Sequence, residues 1–456
     1  PEMFKVTQNI ESAMVPALKA AYTIMRSVGG KMIVLQSTLP SAGPVRLNNR
    51  ANALKAVPPM DLDKDSTLLR PADAFFKNFA LDCSRTQISI DTFLDGENYV
   101  DVATLGTLAQ YTGGQVFFYP VATPHLPPTQ MKIYHDMKRN LSREVGFEAV
   151  MRVRASKGLR LSAQFGNFFI RSTDLLALPT VDADKAFALK YTVGEDLPTP
   201  FASFQAALLY TTSNGERRIR VCNICLPTTQ ALPHIYKYCD VDAMVSMVAK
   251  MAIEKSITNK IEDSRVALSN LLVEIASTFR ASGEAVMVQA PTGVSLPESL
   301  NVLPLYILAM RKMVCLRPSK DITVDERVFY GMHIRTTSIA LTCNFVYPRL
   351  FCLSSLPDES GVRDPTTGVV SMPPQLQLSA ERLNKQGAFM LDDGQNLYLW
   401  VAKACPLPAQ QSIAHALSVP PAPESDPLAV RLQAVISAIR AARPLYQIMY
   451  LIKEGD

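Results

Sequence analysis

The stretch at 145–227 decides the fold: it opens VGFEAVMRVRASKGLRL (145–161), continues GNFFIRSTDLL (166–176) and closes ALLYTTSNGERRIRVCNICLP (207–227). In VMRVR the arginines alternate with apolar residues at the period of a pleated strand, whose side chains point to opposite faces in turn. FGNFFIR adds an aromatic strand-like run. Ser213-Asn214-Gly215 then stands between two further runs of strand character. Asn-Gly in that position supplies the positive φ that a tight hairpin needs. The block therefore reads as an antiparallel β module.

Upstream, helical and strand patterns alternate. A helix is expected at 15–26, ended by Gly29-Gly30, before the apolar run KMIVLQS; a second at 71–83 precedes ISIDTFL; a third at 100–111, closed by Gly113-Gly114, precedes QVFFYP. Short continuous apolar runs suit buried parallel strands, and such helix-then-strand units predict a layered α/β sheet. Downstream, 241–314 turns helical in period. Leu268, Leu271, Leu272, Ile275 and Phe279 form one stripe, with Asp263 expected as its N-cap, and Leu303, Ile307, Met310 and Val314 form another. The segment 347–405 mixes short strands with one helix expected at 379–385. A Pro-rich linker at 420–427 leads into a last helix, with Asp426 as N-cap, Pro427 in the first turn and Leu428, Leu432, Val435 and Ile439 on one face.

The wording of the β module, together with YVDVATLGTLAQYTGG (99–114), YPRLFCL (347–353) and LYLWV (397–401) in the same order, resembles the cargo-adaptor subunit family of the COPII vesicle coat. The resemblance covers nearly all 456 residues. YVDVATL and GGQVFFY are closer in wording to the paralogues that recognise short Ile/Met-containing signals. It implies a multidomain α+β chain: a partial von Willebrand A-type α/β trunk at 1–130, a basic helix and antiparallel β-sandwich at 131–236, an all-helical domain at 237–343, a gelsolin-like domain at 344–424, and a C-terminal helix at 425–456 packing back on the body. It also implies a piece that begins partway through the trunk and stops one short segment before the family's usual end. The family's zinc finger lies upstream, so no cofactor or metal is expected within 1–456.

Composition agrees with packed domains. A chain this long, 48% hydrophobic, divides into several cores. It contains no run of about 18 apolar residues of the kind that spans a bilayer. Eight cysteines lie far apart and read as free thiols; Cys222 and Cys225 lack the second Cys or His pair of a structural zinc site. The five histidines fall in separate neighbourhoods, without HExxH or a nucleophile elbow, and read as isolated surface residues. Both Gly-Gly pairs stand between helix and strand, the reverse of the order that aims a helix N-terminus at phosphate. Asp392-Asp393-Gly394 lacks the oxygen spacing of an EF-hand and reads as a solvated hairpin turn. These absences argue against an enzyme.

Charge placement is the remaining signal. Between 132 and 171 there are nine Lys/Arg against three acids, an excess larger than the +5 of the whole chain. Such a concentration attracts acidic peptides or anionic lipid. Nucleic acid is not implied, because no RNA-recognition signature or basic DNA-reading helix accompanies it. Arg152 and Arg154 share one strand face, and Arg218 and Arg220 do the same in ERRIR. These faces are either the wet sides of half-buried strands or a surface whose guanidinium forks take carboxylates. Trp400 is expected in the core as one of the alternating apolar residues of its strand; the resemblance implies the alternative of a groove for aromatic-containing cargo.

The resemblance further implies pairing with the partner inner-coat subunit of the same architecture, a basic face on the anionic endoplasmic reticulum membrane from the cytoplasmic side, capture of cytosolic tails of cargo proteins, and indirect attachment through a small GTPase. Two alternatives are the GTPase-activating partner subunit and, from another class, an actin-binding gelsolin-domain protein.

Overall fold

The computed structural model describes residues 9–55, 65–96, 98–120, 127–282, 296–319, 321–418 and 422–455. Pro420 and Pro421 of the expected linker, and His125, lie outside them. The chain forms two compact units, Pro1–Thr123 with Arg143–Thr342, and Pro124–Ser142 with Cys343–Asp456.

The first unit begins with α1 (Met14–Met25), β1 (Gly30–Gln36), α2 (Arg50–Lys55), α3 (Asp65–Leu68), α4 (Ala74–Arg85), β2 (Ile88–Asp95), α5 (Val102–Thr112) and β3 (Val116–Tyr119). The three strands pair in parallel in the order β1-β2-β3, as the helix-then-strand pattern predicts. β2 is central and buried from Ile88 to Leu94, with the polar Ser89, Asp91 and Thr92 buried among its apolar residues. Gly113 closes α5 in the left-handed region (φ 66°), and a Cβ on Gly114 would sit 1.8 Å from the Ile90 carbonyl oxygen. The Gly-Gly pair is thus a cap followed by a close approach of two backbones.

Next in the chain is α6 (Pro127–Ser142), which belongs to the second unit. The β module follows as β4 (Val145–Ala155), β5 (Leu159–Phe165), β6 (Phe169–Ser172), β7 (Leu175–Asp182), β8 (Ala188–Val193), β9 (Phe201–Thr212) and β10 (Arg217–Pro227). Five strands form one sheet in the order β10-β9-β4-β7-β6, and β5 pairs with β8 in a second. The expected hairpin at 213–215 joins β9 to β10, closed by the Thr212 N–H donating to Glu216 O at 2.9 Å. Ala149, Met151, Phe168, Leu176, Leu178 and Val181 form the module's core.

The helical region comprises α7 (Leu232–Lys237), α8 (Val241–Thr258), α9 (Ile261–Ala281), α10 (Leu303–Lys312), α11 (Val324–Thr336) and α12 (Ile339–Val346). Leu268 and Phe279 of the first stripe, and Leu303, Ile307 and Met310 of the second, are buried, whereas Val314 lies past the end of α10. Asp263 is not the N-cap of α9: the helix begins at Ile261 and Asp263 lies within its first turn, where a carboxylate still complements the helix dipole. Lys250 of α8 is buried beneath the end of α11 and donates to Ile334 O at 2.7 Å, Thr337 O at 2.9 Å and Thr342 Oγ1 at 3.4 Å. Its ammonium satisfies carbonyls that have no partner inside the helix.

The second unit adds β11 (Arg349–Cys352), β12 (Gln375–Leu376), β13 (Ala388–Asp392), β14 (Asn396–Val401), α13 (Leu407–Leu417), α14 (Pro427–Ala441) and β15 (Ile448–Lys453). The sheet order is β12-β11-β13-β14-β15, with β15 parallel to β14 and the other pairs antiparallel. Phe351, Met390, Leu397 and Leu399 pack with Leu432, Val435 and Ile439 of α14, whose N-cap Asp426 accepts from the Ala429 N–H as expected. The segment 425–456 therefore shares the core of the preceding strands. The helix expected at 379–385 is only a single 3-10 turn, Ala380–Arg382, capped by Ser379.

Two further readings of the sequence change here. The basic helix α6, grouped above with the β module, packs instead on the C-terminal segment: Asp136 Oδ1 accepts from the Tyr446 N–H at 2.7 Å, Lys132 donates to Tyr446 O, and His135 stacks on the Tyr446 ring at 4.6 Å. Nor is the Asp392 turn solvated. Asp392 is fully buried and bonded to Arg349 (2.7 Å), Arg443 (2.5 Å), Gln447 (2.7 Å) and the Gly394 N–H (2.9 Å). Its turn lies under side chains distant in sequence, which no local pattern records.

Candidate functional site

The motif YVDVATL is a structural node. Asp101 is the N-cap of α5, in the left-handed region (φ 61°) and fully buried, and accepts from the Thr104 N–H. Arg50 meets it with Nη2 at 2.7 Å and Nε at 3.2 Å, and also holds the carbonyls of Thr67 and Arg70. Asp325 of α11 reaches the same turn and accepts from the N–H groups of Val100 and Val102, both at 2.8 Å. Buried donors left without a partner cost about 1–3 kcal/mol each, so these contacts fix the entry to α5.

Burial raises the Asp325 carboxyl to about 6 against the pull of the two N–H donors. A carboxyl raised on folding binds its proton more tightly in the folded state. Its contribution is therefore complete below the unfolded value of 3.8 and is lost as pH rises through about 6. Asp325→Asn keeps an acceptor oxygen and is expected to flatten the stability profile between pH 4 and 6, measured by urea denaturation of both proteins across that range. An unchanged slope in the variant would assign it to another group.

The candidate arginines divide between two faces. Arg152 stands across from Ala207, which pairs with Val221, and Arg154 stands across from Gln205, which pairs with Asn223. Arg220 lies in the row of Leu208 and Met151, and Arg218 in the row of Tyr210. Arg152 and Arg154 thus face one side of the sheet and Arg218 and Arg220 the other, so the four do not form a single surface. An even-numbered β10 residue pairs with an even-numbered β9 residue, and that parity is invisible until the register is known.

Several cations of the basic stretch are already engaged. Lys132 is buried beside Asp136, Arg143 bonds Asp182 (3.1 Å) and Asp184 (2.9 Å), Arg152 bonds Asp174 (3.1 Å) and Arg160 bonds Glu195 (3.2 Å). Burial lowers the Lys132 pKa, opposed by Asp136. On β10, Arg217 contacts Glu148 at 3.4 Å and Arg218 contacts Glu216. Arg154, Lys157 and Arg171 are exposed and have no acidic partner among the described residues, and Arg220 is likewise free. Available charge is therefore narrower than the sequence count suggests.

Trp400, in the other unit, is not a core residue. Alternation along β14 sends Leu397, Leu399 and Val401 into the core and leaves Tyr398 and Trp400 on the opposite face, half-buried. There Trp400 packs beside Phe389 (ring centroids 5.9 Å) in register with Ile452, and Tyr398 stacks on Tyr450 at 5.4 Å. His415 is not isolated: its Nδ1 lies 2.9 Å from Asp426 Oδ2, bracing the start of α14. Cys222 and Cys225, three apart on an exposed strand, point to opposite faces. Among the described residues no group of three or more His, Cys, Asp or Glu could hold a metal ion, and no helix is long and apolar enough to cross a membrane.

Comparison with known proteins places these features. Family models for the Sec23/Sec24 trunk domain, beta-sandwich domain and helical domain match residues 1–141, 146–229 and 240–344, and a gelsolin-repeat model matches 369–430. The chain is 37% identical over 467 aligned residues to human protein transport protein Sec24A, covering all of this chain and 42% of that protein. It is 40% identical over 402 residues to protein transport protein sec24 of Aspergillus clavatus, covering 88% of this chain and 43% of the relative. The crystal structure of the human COPII-coat protein Sec24c matches with a TM-score of 0.87 at 30% identity, over all of this chain and 60% of that one. The chain thus spans less than half the length of these curated relatives. With the domain models in the order of its own trunk sheet, β-sandwich, helices and gelsolin-like sheet, the chain belongs to the Sec23/Sec24 family, and its matched relatives are Sec24 proteins.

Proposed function

We propose that this chain is the cargo-binding part of a COPII coat subunit, which recognises cytosolic sorting signals for export from the endoplasmic reticulum and pairs with a second inner-coat subunit of similar architecture. The structural match of this whole chain to part of a COPII-coat protein carries the reading. Two surfaces suit short peptides. Arg154, Lys157 and Arg171 offer exposed cations with no acidic partner among the described residues, and Trp400, Tyr398 and Tyr450, beside Ile452, offer an aromatic face in the other unit. The same cations suit an anionic membrane surface, with the small GTPase acting through the partner subunit. Individually weak contacts serve, because a polymerising coat presents many at once.

The test is titration of the chain, alone and with its partner subunit, against labelled tail peptides carrying diacidic, Ile/Met and C-terminal hydrophobic signals. Arg154→Glu is expected to weaken diacidic peptides roughly two- to tenfold, with the hydrophobic signal unaffected. Saturable binding of no peptide in either setting would sink the reading, and stimulated GTP hydrolysis by the chain alone would reassign it to the GTPase-activating subunit.

A further inference from the structure

All eleven residues of β10 are exposed, and the strand lies at the free edge of its sheet. The hairpin closes through Thr212 N–H to Glu216 O, and at the far end the Thr228 N–H donates to Pro200 O at 2.8 Å. Bonded pairs alternate along an antiparallel ladder. Even-numbered residues of β10 therefore bond β9, while the N–H and C=O groups of Arg217, Ile219, Val221, Asn223 and Cys225 point away from it. Among the described residues no strand pairs with that side.

Edge strands that merely face water are blunted by being short, by proline or by charged side chains, lysine above all. β10 is long and carries its only proline at its last position. Arg218 and Arg220 alternate with Ile219 and Val221, and its apolar side chains stay open to solvent: Ile219 is 69%, Val221 49%, Ile224 55% and Leu226 47% exposed. The strand has three arginines and no acid. Among the described residues Arg217 and Arg218 have only exposed glutamates as acidic partners, Arg217 also donating to Thr211 Oγ1 at 2.7 Å, and Arg220 has no acidic partner.

We infer that β10 is an acceptor edge for an extended acidic peptide segment, which adds to the sheet as a sixth strand. Carboxylates facing Arg218 and Arg220 would lie on one side of that strand, and apolar side chains facing Ile219 and Val221 on the other. Main-chain bonds supply the affinity in such strand addition, and alternate side chains supply the selectivity. A second copy of the chain is the weaker occupant, because it brings three more arginines and no carboxylate. The inference rests on the sheet edge alone and stands apart from the cargo reading.

Hydrogen exchange of the whole chain tests it, with an alternating Glu-Val decapeptide as the probe and an alternating Lys-Val decapeptide as its control. The Glu-Val peptide is expected to slow exchange at the amides of 217, 219, 221 and 223 by about tenfold or more, as new main-chain bonds form. Val221→Pro removes one outward N–H without touching a β9 bond, so it should abolish the effect. The even-numbered amides of β10 stay protected in that variant, which separates lost docking from a lost fold. Arg220→Glu is expected to weaken the peptide roughly two- to fivefold. No protection at millimolar Glu-Val peptide, equal protection by Lys-Val peptide, or full protection in Val221→Pro would each overturn the inference. Protection of the same amides without peptide, rising with protein concentration, would overturn it in favour of self-pairing.

Discussion

Replacing Asp392 by alanine is expected to lower the stability of the C-terminal unit by about 3–5 kcal/mol, the cost of removing one member of a buried ionic cluster. The variant leaves the Arg443 guanidinium, only 5% exposed on its side chain, and that of Arg349 without their shared carboxylate. It also frees Gln447 Nε2 and the Gly394 N–H. Asp392→Asn should cost less, because it keeps an oxygen for those neutral donors but not the charge. Burial pushes the Asp392 carboxyl up, but Arg443, Arg349 and the Gly394 N–H outweigh it and hold it below its usual 3.8. A carboxyl depressed on folding adds stability above its unfolded value and loses it as pH falls through the folded one. Thermal unfolding at pH 7 should show a loss of roughly 10 °C or more in the transition of this unit, with the difference between wild type and variant shrinking below pH 4. A shift of only a degree or two at pH 7 would mean that water or rearranged side chains replace the carboxylate.

Gly114→Ala is expected to be at least as damaging to the first unit, by about 3 kcal/mol or more, for a steric reason. The added methyl would lie 1.8 Å from Ile90 O and 2.6 Å from its carbonyl carbon. Neither side of the contact is free to retreat. Ile90 is at the centre of β2, and the segment after Gly114 is held by the Gln115 N–H to Asp91 Oδ1 (2.7 Å) and by the Thr92 N–H to Gln115 O (3.0 Å). Gly114 O itself accepts from Asn167 Nδ2 at 2.8 Å, which ties the trunk sheet to the β module. Gly113→Ala is the control: its cost is the left-handed conformation, about 1–2 kcal/mol. Urea denaturation should rank the two variants in that order, and a Gly114→Ala protein within 1 kcal/mol of wild type would refute the contact.

Both effects show where sequence reading succeeds and where it stops. The α/β units, the hairpin at Asn214-Gly215 and the Asp426 cap were legible because their causes are local: a period, a left-handed glycine, a capping side chain. Gly113-Gly114 was legible as punctuation but not as a close approach, since Ile90 is on another strand. Asp392, Lys250 and Asp325 were not legible in their roles. Their long-range partners lie 43 to 225 residues away, and a buried carboxylate has the same letter as a solvated one. Arg152 with Arg154, and Arg218 with Arg220, each share a face as the strand period predicts, but that the two pairs lie on opposite faces of the sheet needed the register between β4, β9 and β10. Trp400 was assigned to the wrong side of its strand for a related reason: LYLWV is apolar at every position, so alternation within it does not reveal which parity faces the core.

The placement of α6 bears on how the chain is made. It is synthesised before Arg143–Thr342, yet its partners, Tyr446 among them, belong to the last segment. At ribosomal speeds of about 5–20 residues per second, the roughly 300 residues between the end of α6 and Tyr446 take on the order of 15–60 s to emerge. For that interval the Lys132, His135 and Asp136 side chains lack their docking partner, while the trunk and β module encoded on either side can already close. The nascent chain therefore carries a waiting segment that chaperones must tolerate, and a ribosome stalled before Tyr446 would release a product with one finished unit and one stranded helix.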